Sequence, residues 1–118
     1  MSDEAKEAGC LPCKDAKTRE LFAWNDLMPP LPDYFHITGE VYVANPGVDP
    51  LLVPAEPQGI NPTILILNLF LCQRPGGWPR VWVWKPVRYD KKIETGYTQV
   101  DIMCEGDRIA TVDVQNVT

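Results

Sequence analysis

Serine and histidine are almost missing from this chain of 118 residues: Ser2 is the only serine and His36 the only histidine. A Ser-His-Asp hydrolase needs a serine held rigidly beside a histidine, and Ser2 sits in the charged opening stretch, so that chemistry is excluded. Metal sites built from several histidines are excluded with it. No run approaches the roughly 20 apolar residues of a membrane-spanning helix. No Gly-rich phosphate loop or dinucleotide fingerprint occurs. The opening residues, Met-Ser-Asp-Glu-Ala-Lys-Glu, lack the apolar segment of a signal peptide. A cytoplasmic location is therefore the expectation, and with it four cysteines carried as thiols rather than disulfides.

Proline is abundant, with 12 residues. It is excluded from helix interiors and central strands, so turns and irregular crossings should be common. The net charge of −5 opposes binding to nucleic-acid phosphates. The length suits one core. We expect a flexible N-terminal arm over residues 1–12 and a single β-rich domain over residues 13–118.

The chain is organised around Thr63 to Gln73, T-I-L-I-L-N-L-F-L-C-Q. Ile64, Ile66, Phe70 and Cys72 share one parity; Leu65, Leu67, Leu69 and Leu71 share the other. A strand wetted on one face alternates polar with apolar, so both faces of this one call for cover. Pro62 before it and Pro75-Gly76-Gly77 after it mark a strand between turns.

Before it, Lys17, Leu21, Trp24 and Met28 fall at helical spacing. Asp15 can cap such a helix and Met28-Pro29-Pro30 can end it. Phe35 to Ala44 reads as a strand, with Gly39 as a candidate bulge. Asn45 to Pro62 carries five prolines and reads as an ordered crossing or an edge segment. After the central strand, Arg80 to Lys91 alternates as a strand, with Pro86 pointing to an edge or a bulge. Tyr97 to Cys104 and Ile109 to Val117 form a hairpin. Val100, Ile102, Ala110, Val112 and Val114 are all even-numbered, so a loop of odd length is required. The three residues Glu105-Gly106-Asp107 supply it and pair Val100 with Val112. The expected fold is mainly β: a small antiparallel β-sandwich or partly open barrel with one N-terminal α-helix.

No cofactor is called for, and no constellation marks a conventional enzyme. Trp78, Arg80, Trp82, Trp84 and Arg88 form an aromatic and basic segment in an otherwise acidic chain. Such a surface stacks a ligand or anchors a partner. The leading reading is a small binding module that uses this hairpin and the proline-rich loop on a protein, peptide or carbohydrate. The same tryptophans could instead be covered by the Leu21, Phe22, Trp24 helix. Cys10-Leu-Pro-Cys13 before a helix carries a second reading, thiol redox or metal chemistry. The expected helix is present for it, but the strand that precedes such a motif is missing. Asp101 and Asp113, diagonal neighbours on the hairpin, carry a third, a carboxylate-dependent hydrolase. The doubly apolar strand and the paired tryptophans also predict a homodimer, since burying each large apolar side chain contributes roughly 1.5–3 kcal/mol.

Overall fold

The computed structural model describes residues 10–13 and 15–118. The described chain is mainly strand: β1 (Cys10–Leu11), β2 (Thr18–Asp26), β3 (Asp33–Val43), β4 (Val48–Pro54), β5 (Ile64–Gln73), β6 (Val83–Ile93), β7 (Gln99–Cys104) and β8 (Asp107–Val117). They form one sheet in the order β4-β5-β7-β8-β2-β3-β6, and the short β1 extends the β7 side of β5. The sheet curls into an open half-barrel, and among the described residues there is neither a sandwich nor a second layer. It is also mixed rather than antiparallel: β5 runs parallel to β7, and β2 runs parallel to β8. Among the described residues no helix is long and apolar enough to cross a membrane.

β5 occupies the position its composition demands. Leu65, Leu67, Leu69 and Leu71 are buried on the concave side. They pack with Phe35, Ile37, Val41 and Val43 of β3, and with Val100, Ile102 and Val112 of the hairpin. The convex side of β5 is covered piecemeal. The Gln58 side chain bonds both the N–H and the carbonyl of Ile66, which brings the 55–62 loop over that residue. Cys10 covers Cys72 through a disulfide. Leu51, opposite Phe70, and Val53, opposite Asn68, stay exposed. The proline-rich stretch after Asn45 thus contributes an edge strand, β4, followed by a loop.

The expected helix over residues 15–27 is instead strand β2. Leu21, Ala23 and Asn25 turn inward, while Phe22, Trp24 and Asp26 turn outward, and aromatic residues favour the pleated surface. The helical spacing was coincidental: Lys17 and Met28, its two ends, are exposed. The bulge lies on β2 rather than at Gly39. Glu20 (φ 54°) and Leu21 together face Gly39, between the pairs Arg19–Glu40 and Phe22–Thr38. A Cβ at Gly39 would stand 2.4 Å from the Leu21 side chain, so glycine leaves the room that Leu21 takes.

The hairpin pairs Val100 with Val112. The odd residue enters differently from the expected three-residue loop. A two-residue turn, Glu105-Gly106, with both φ positive, joins Cys104 to Asp107, and Ile109 is the extra residue of a bulge between the pairs Ile102–Ala110 and Met103–Arg108. A two-residue turn with positive φ at both central residues matches the right-handed twist of the strands it joins.

The four cysteines are disulfides, Cys10–Cys72 and Cys13–Cys104, not thiols. β1 pairs with the last residues of β5, just beyond the end of β7. That places one cysteine of the arm beside each of two strand ends. Of the arm expected over residues 1–12, Cys10 and Leu11 form β1, and residues 1–9 lie outside the described residues.

One buried polar side chain ties neighbouring parts of the sheet together. Asn25, 1% exposed, donates to the Tyr97 carbonyl and to Asn116 Oδ1, each at 2.8 Å, and accepts from the Tyr97 N–H. This joins β2 to the loop before β7 and to the end of β8. A buried amide left without partners costs about 1–3 kcal/mol. We expect Asn25→Leu to lower unfolding free energy by about that amount in urea denaturation; an unchanged midpoint would show that the network contributes nothing.

Candidate functional site

The sequence candidates fall on two parts of the molecule. Trp82, Trp84 and Arg88 lie at or on β6, whose outward side chains adjoin those of β3. Tyr42 pairs with Trp84, Thr38 with Arg88 and His36 with Asp90. Tyr42 stands between the two tryptophans, its ring centroid 5.3 Å from Trp82 and 4.8 Å from Trp84. Arg80 is exposed in the preceding connection. Trp78 lies apart from this group.

β2 extends the face on the far side of β3. Phe22, Trp24, His36 and Tyr34 form a chain of rings, with successive centroids 5.2, 5.0 and 6.1 Å apart. From Tyr34 to Tyr42 the strand advances about 26 Å, at about 3.3 Å per residue. The convex face of β2, β3 and β6 thus carries aromatic groups at both ends. Trp82 is 58% exposed, Phe22 50% and Tyr34 41%.

Charged groups fill the ground between them. Asp90 accepts from His36 Nδ1 at 2.6 Å and from Arg88 Nε at 2.9 Å. The Arg88 hydrogen bond, helped by His36, holds the Asp90 carboxyl below the usual carboxylate range. Toward Trp84, Arg19 bonds Glu40 at 2.7 Å and lays its guanidinium 4.2 Å from the Trp84 ring centroid. That bond lowers the Glu40 pKa. Trp84 is therefore partly roofed by Arg19, not by a helix, while Trp82 is open. The surface offers rings for stacking and both signs of charge for hydrogen bonding.

Trp78 serves the framework. Its indole N–H donates to the Arg74 carbonyl at 2.9 Å, and the Arg74 guanidinium lies 4.7 Å from its ring centroid. The ring lies against Gly47, where a Cβ would stand 2.3 Å from the indole. Arg74 N–H donates to the Gly47 carbonyl at 2.8 Å, and the Arg74 side chain reaches Asp49 at 3.1 Å. The turn after β5 is thus clamped onto the turn before β4.

The other candidates are spread elsewhere. Cys10 and Cys13 are bridged to Cys72 and Cys104, not to each other. Asp101 and Asp113 are diagonal neighbours, as their register requires, but Asp101 accepts from Gln99 and Thr111. Among the described residues no group of three or more His, Cys, Asp or Glu is placed to hold a metal ion. Sequence reasoning missed Tyr42, Arg19, His36 and Asp90. The signal for Tyr34, His36 and Tyr42 was present as even-numbered rings along one strand; Phe22 and Trp24 were hidden by the helical spacing.

No protein-family model, curated protein or solved structure matches this chain.

The clamp makes a direct prediction. Gly47→Ala forces the Trp78 ring to move, and overpacking of this kind costs about 1–3 kcal/mol. Gly77→Ala, with no neighbour within 4 Å of its new Cβ, is the control. Thermal unfolding should separate the two variants, and coincident midpoints would remove the clamp from the account of stability.

Proposed function

We propose that the protein is a non-catalytic binding module whose recognition surface is the convex face of β2, β3 and β6. The observation that carries this reading is the set of rings set out on a face that owes nothing to the core. Large apolar groups on a wetted sheet face are selected against unless something covers them. Trp82, with Tyr42 and Trp84 beside it, supplies one stacking end, and Phe22 and Tyr34 supply the other. Arg80, Arg88, Asp90 and Glu40 supply polar partners. Trp78 and the loop after β4 frame the fold rather than the ligand.

The ligand class this surface favours is an extended, uncharged oligosaccharide. Sugar rings present C–H faces that stack on aromatic side chains, and hydroxyls that bond carboxylate and guanidinium groups. A peptide joining as an extra strand would use an edge, and the edge strand β6 carries Pro86 and a run of charges, which discourage strand addition. Nucleic acid is opposed by the net charge of −5. Two disulfides favour an oxidising compartment over the cytoplasm; they also leave the Cys-x-x-Cys redox reading without a local dithiol.

The test is titration with neutral oligosaccharides of glucose, xylose and N-acetylglucosamine, followed by tryptophan fluorescence and by NMR. Saturable binding by at least one is expected. Trp82→Ala should weaken it about tenfold, since a ring stack contributes up to about 1.5 kcal/mol. Absence of binding across the three series, or binding indifferent to Trp82→Ala, overturns the reading.

A homodimer is the second reading, favoured by Leu51 and Val53 at 46% and 42% exposure on the convex side of β4, next to Phe70. Sedimentation equilibrium at micromolar concentration should then give twice the chain mass, and Leu51→Lys should restore the monomer. A monomeric wild type sinks this second reading.

A further inference from the structure

At the end of the half-barrel where β1 lies, the structure holds a cavity of about 440 Å³, within the range of about 300–1,000 Å³ found for small-molecule sites. The space is a cleft that opens to solvent, with buried apolar residues at its base. Leu71 and Val48, 6% and 0% exposed, line it together with Leu11 of β1. The tilted rings of Tyr42 and Trp82 form an aromatic wall. Asp15 and Lys17 also line it, and both are exposed. Among the described residues neither has an ion-pair partner.

We propose that this cavity binds a small aromatic zwitterion, of the size and chemistry of a free aromatic amino acid. The volume admits one such molecule. Its flat apolar body fits the aliphatic lining and the Tyr42–Trp82 wall, where stacking adds to burial. The two unpaired side chains give the polar end its identity: Asp15 receives an ammonium group and Lys17 a carboxylate. A ligand of single charge meets one like charge here, and a neutral one leaves both groups unused. The arm that supplies Leu11, Asp15 and Lys17 is cross-linked to β5 and β7 by the two disulfides, so the wall is fixed before the ligand arrives, which lowers the ordering cost of binding. The site goes beyond the oligosaccharide surface, with which it shares only Tyr42 and Trp82.

The experiment uses the whole oxidised chain and four probes with one ring system: tryptophan, tryptamine, indole-3-acetate and indole. Binding is read from the methyl NMR signals of Leu11, Val48 and Leu71. Tryptophan should shift these signals saturably and bind most tightly of the four. Lys17→Ala should weaken tryptophan and indole-3-acetate about two- to fivefold, the size of an exposed ion pair, and leave tryptamine unchanged. Asp15→Asn should weaken tryptophan and tryptamine and spare indole-3-acetate. Both substitutions are at exposed positions, so loss of fold does not confuse the result. Ala16→Phe, which projects a ring from the cavity wall, should abolish the methyl shifts. The proposal is overturned if no probe moves these methyls at millimolar concentration, or if indole binds as tightly as tryptophan. Oligosaccharide binding is read at Phe22, Tyr34 and Trp84, so failure of either site leaves the other measurable.

Discussion

Four leucines of one strand must leave water together, and the rest of the chain is arranged to let them. Leu65, Leu67, Leu69 and Leu71 point to a single side of β5, and each contributes roughly 1.5–3 kcal/mol when buried. Their backbone cannot be buried unpaired, so β5 takes neighbours on both edges: β4 on one, β7 and then β1 on the other. With both edges taken, the sheet grows sideways through β8, β2, β3 and β6 and bends around the leucines. The two outermost strands then approach each other. Side chains close the seam: Lys85 of β6 donates to the Pro46 carbonyl at 2.8 Å and lies 3.6 Å from Asp49 of β4.

The same curl explains why the proposed binding face exists. In a sandwich, one face of each sheet meets the other sheet and residues alternate between core and water. Here one sheet supplies its own core, so its whole convex side is left over. Over β5 that side is covered by the Gln58 loop and the Cys10 bridge. Over β3 and β6 it is covered by nothing from the described chain except its own side chains, which is where the rings and the Arg88, Asp90, His36 and Arg19, Glu40 groups stand. The cavity at the arm end has the same origin. An open half-barrel has ends, and at this one the lining is apolar.

Period-two signals were readable from the sequence. The central strand, the hairpin pairing of Val100 with Val112 and the edge character of the Pro50 segment all follow from parity and proline. Three features were not readable, for separate reasons. Leu21, Trp24 and their neighbours fit two periods at once, and only the presence of β3 and β8 on either side decides for strand. The Ile109 bulge does the work assigned to a longer loop, and parity alone cannot tell an extra residue in the turn from one in the strand. The cysteines were read through the expected location of the chain, whereas their pairing is settled by topology, which brings the arm to the ends of β5 and β7. The site was half legible. Trp82, Trp84 and Arg88 were found together, but Tyr42 between them required knowing that β3 is the neighbour, and Trp78 required seeing Gly47.

The two bridges also change what a broken backbone means for this protein. Cys10 and Cys13 lie before every exposed connection between β3 and β7, and Cys72 and Cys104 lie far downstream. A protease that cuts the loop around Ile60, which is fully exposed, produces two pieces still joined by both disulfides. A cut between Arg74 and Trp82 leaves them joined through Cys13–Cys104. In either case the strands remain hydrogen-bonded to the same neighbours and the fragments part only when the bridges are reduced. The molecule behaves toward surface cleavage as a cross-linked ring rather than a thread: a nicked form keeps both pieces, is heavier than the intact chain by the water that hydrolysis adds, and releases its fragments only after a reductant is added.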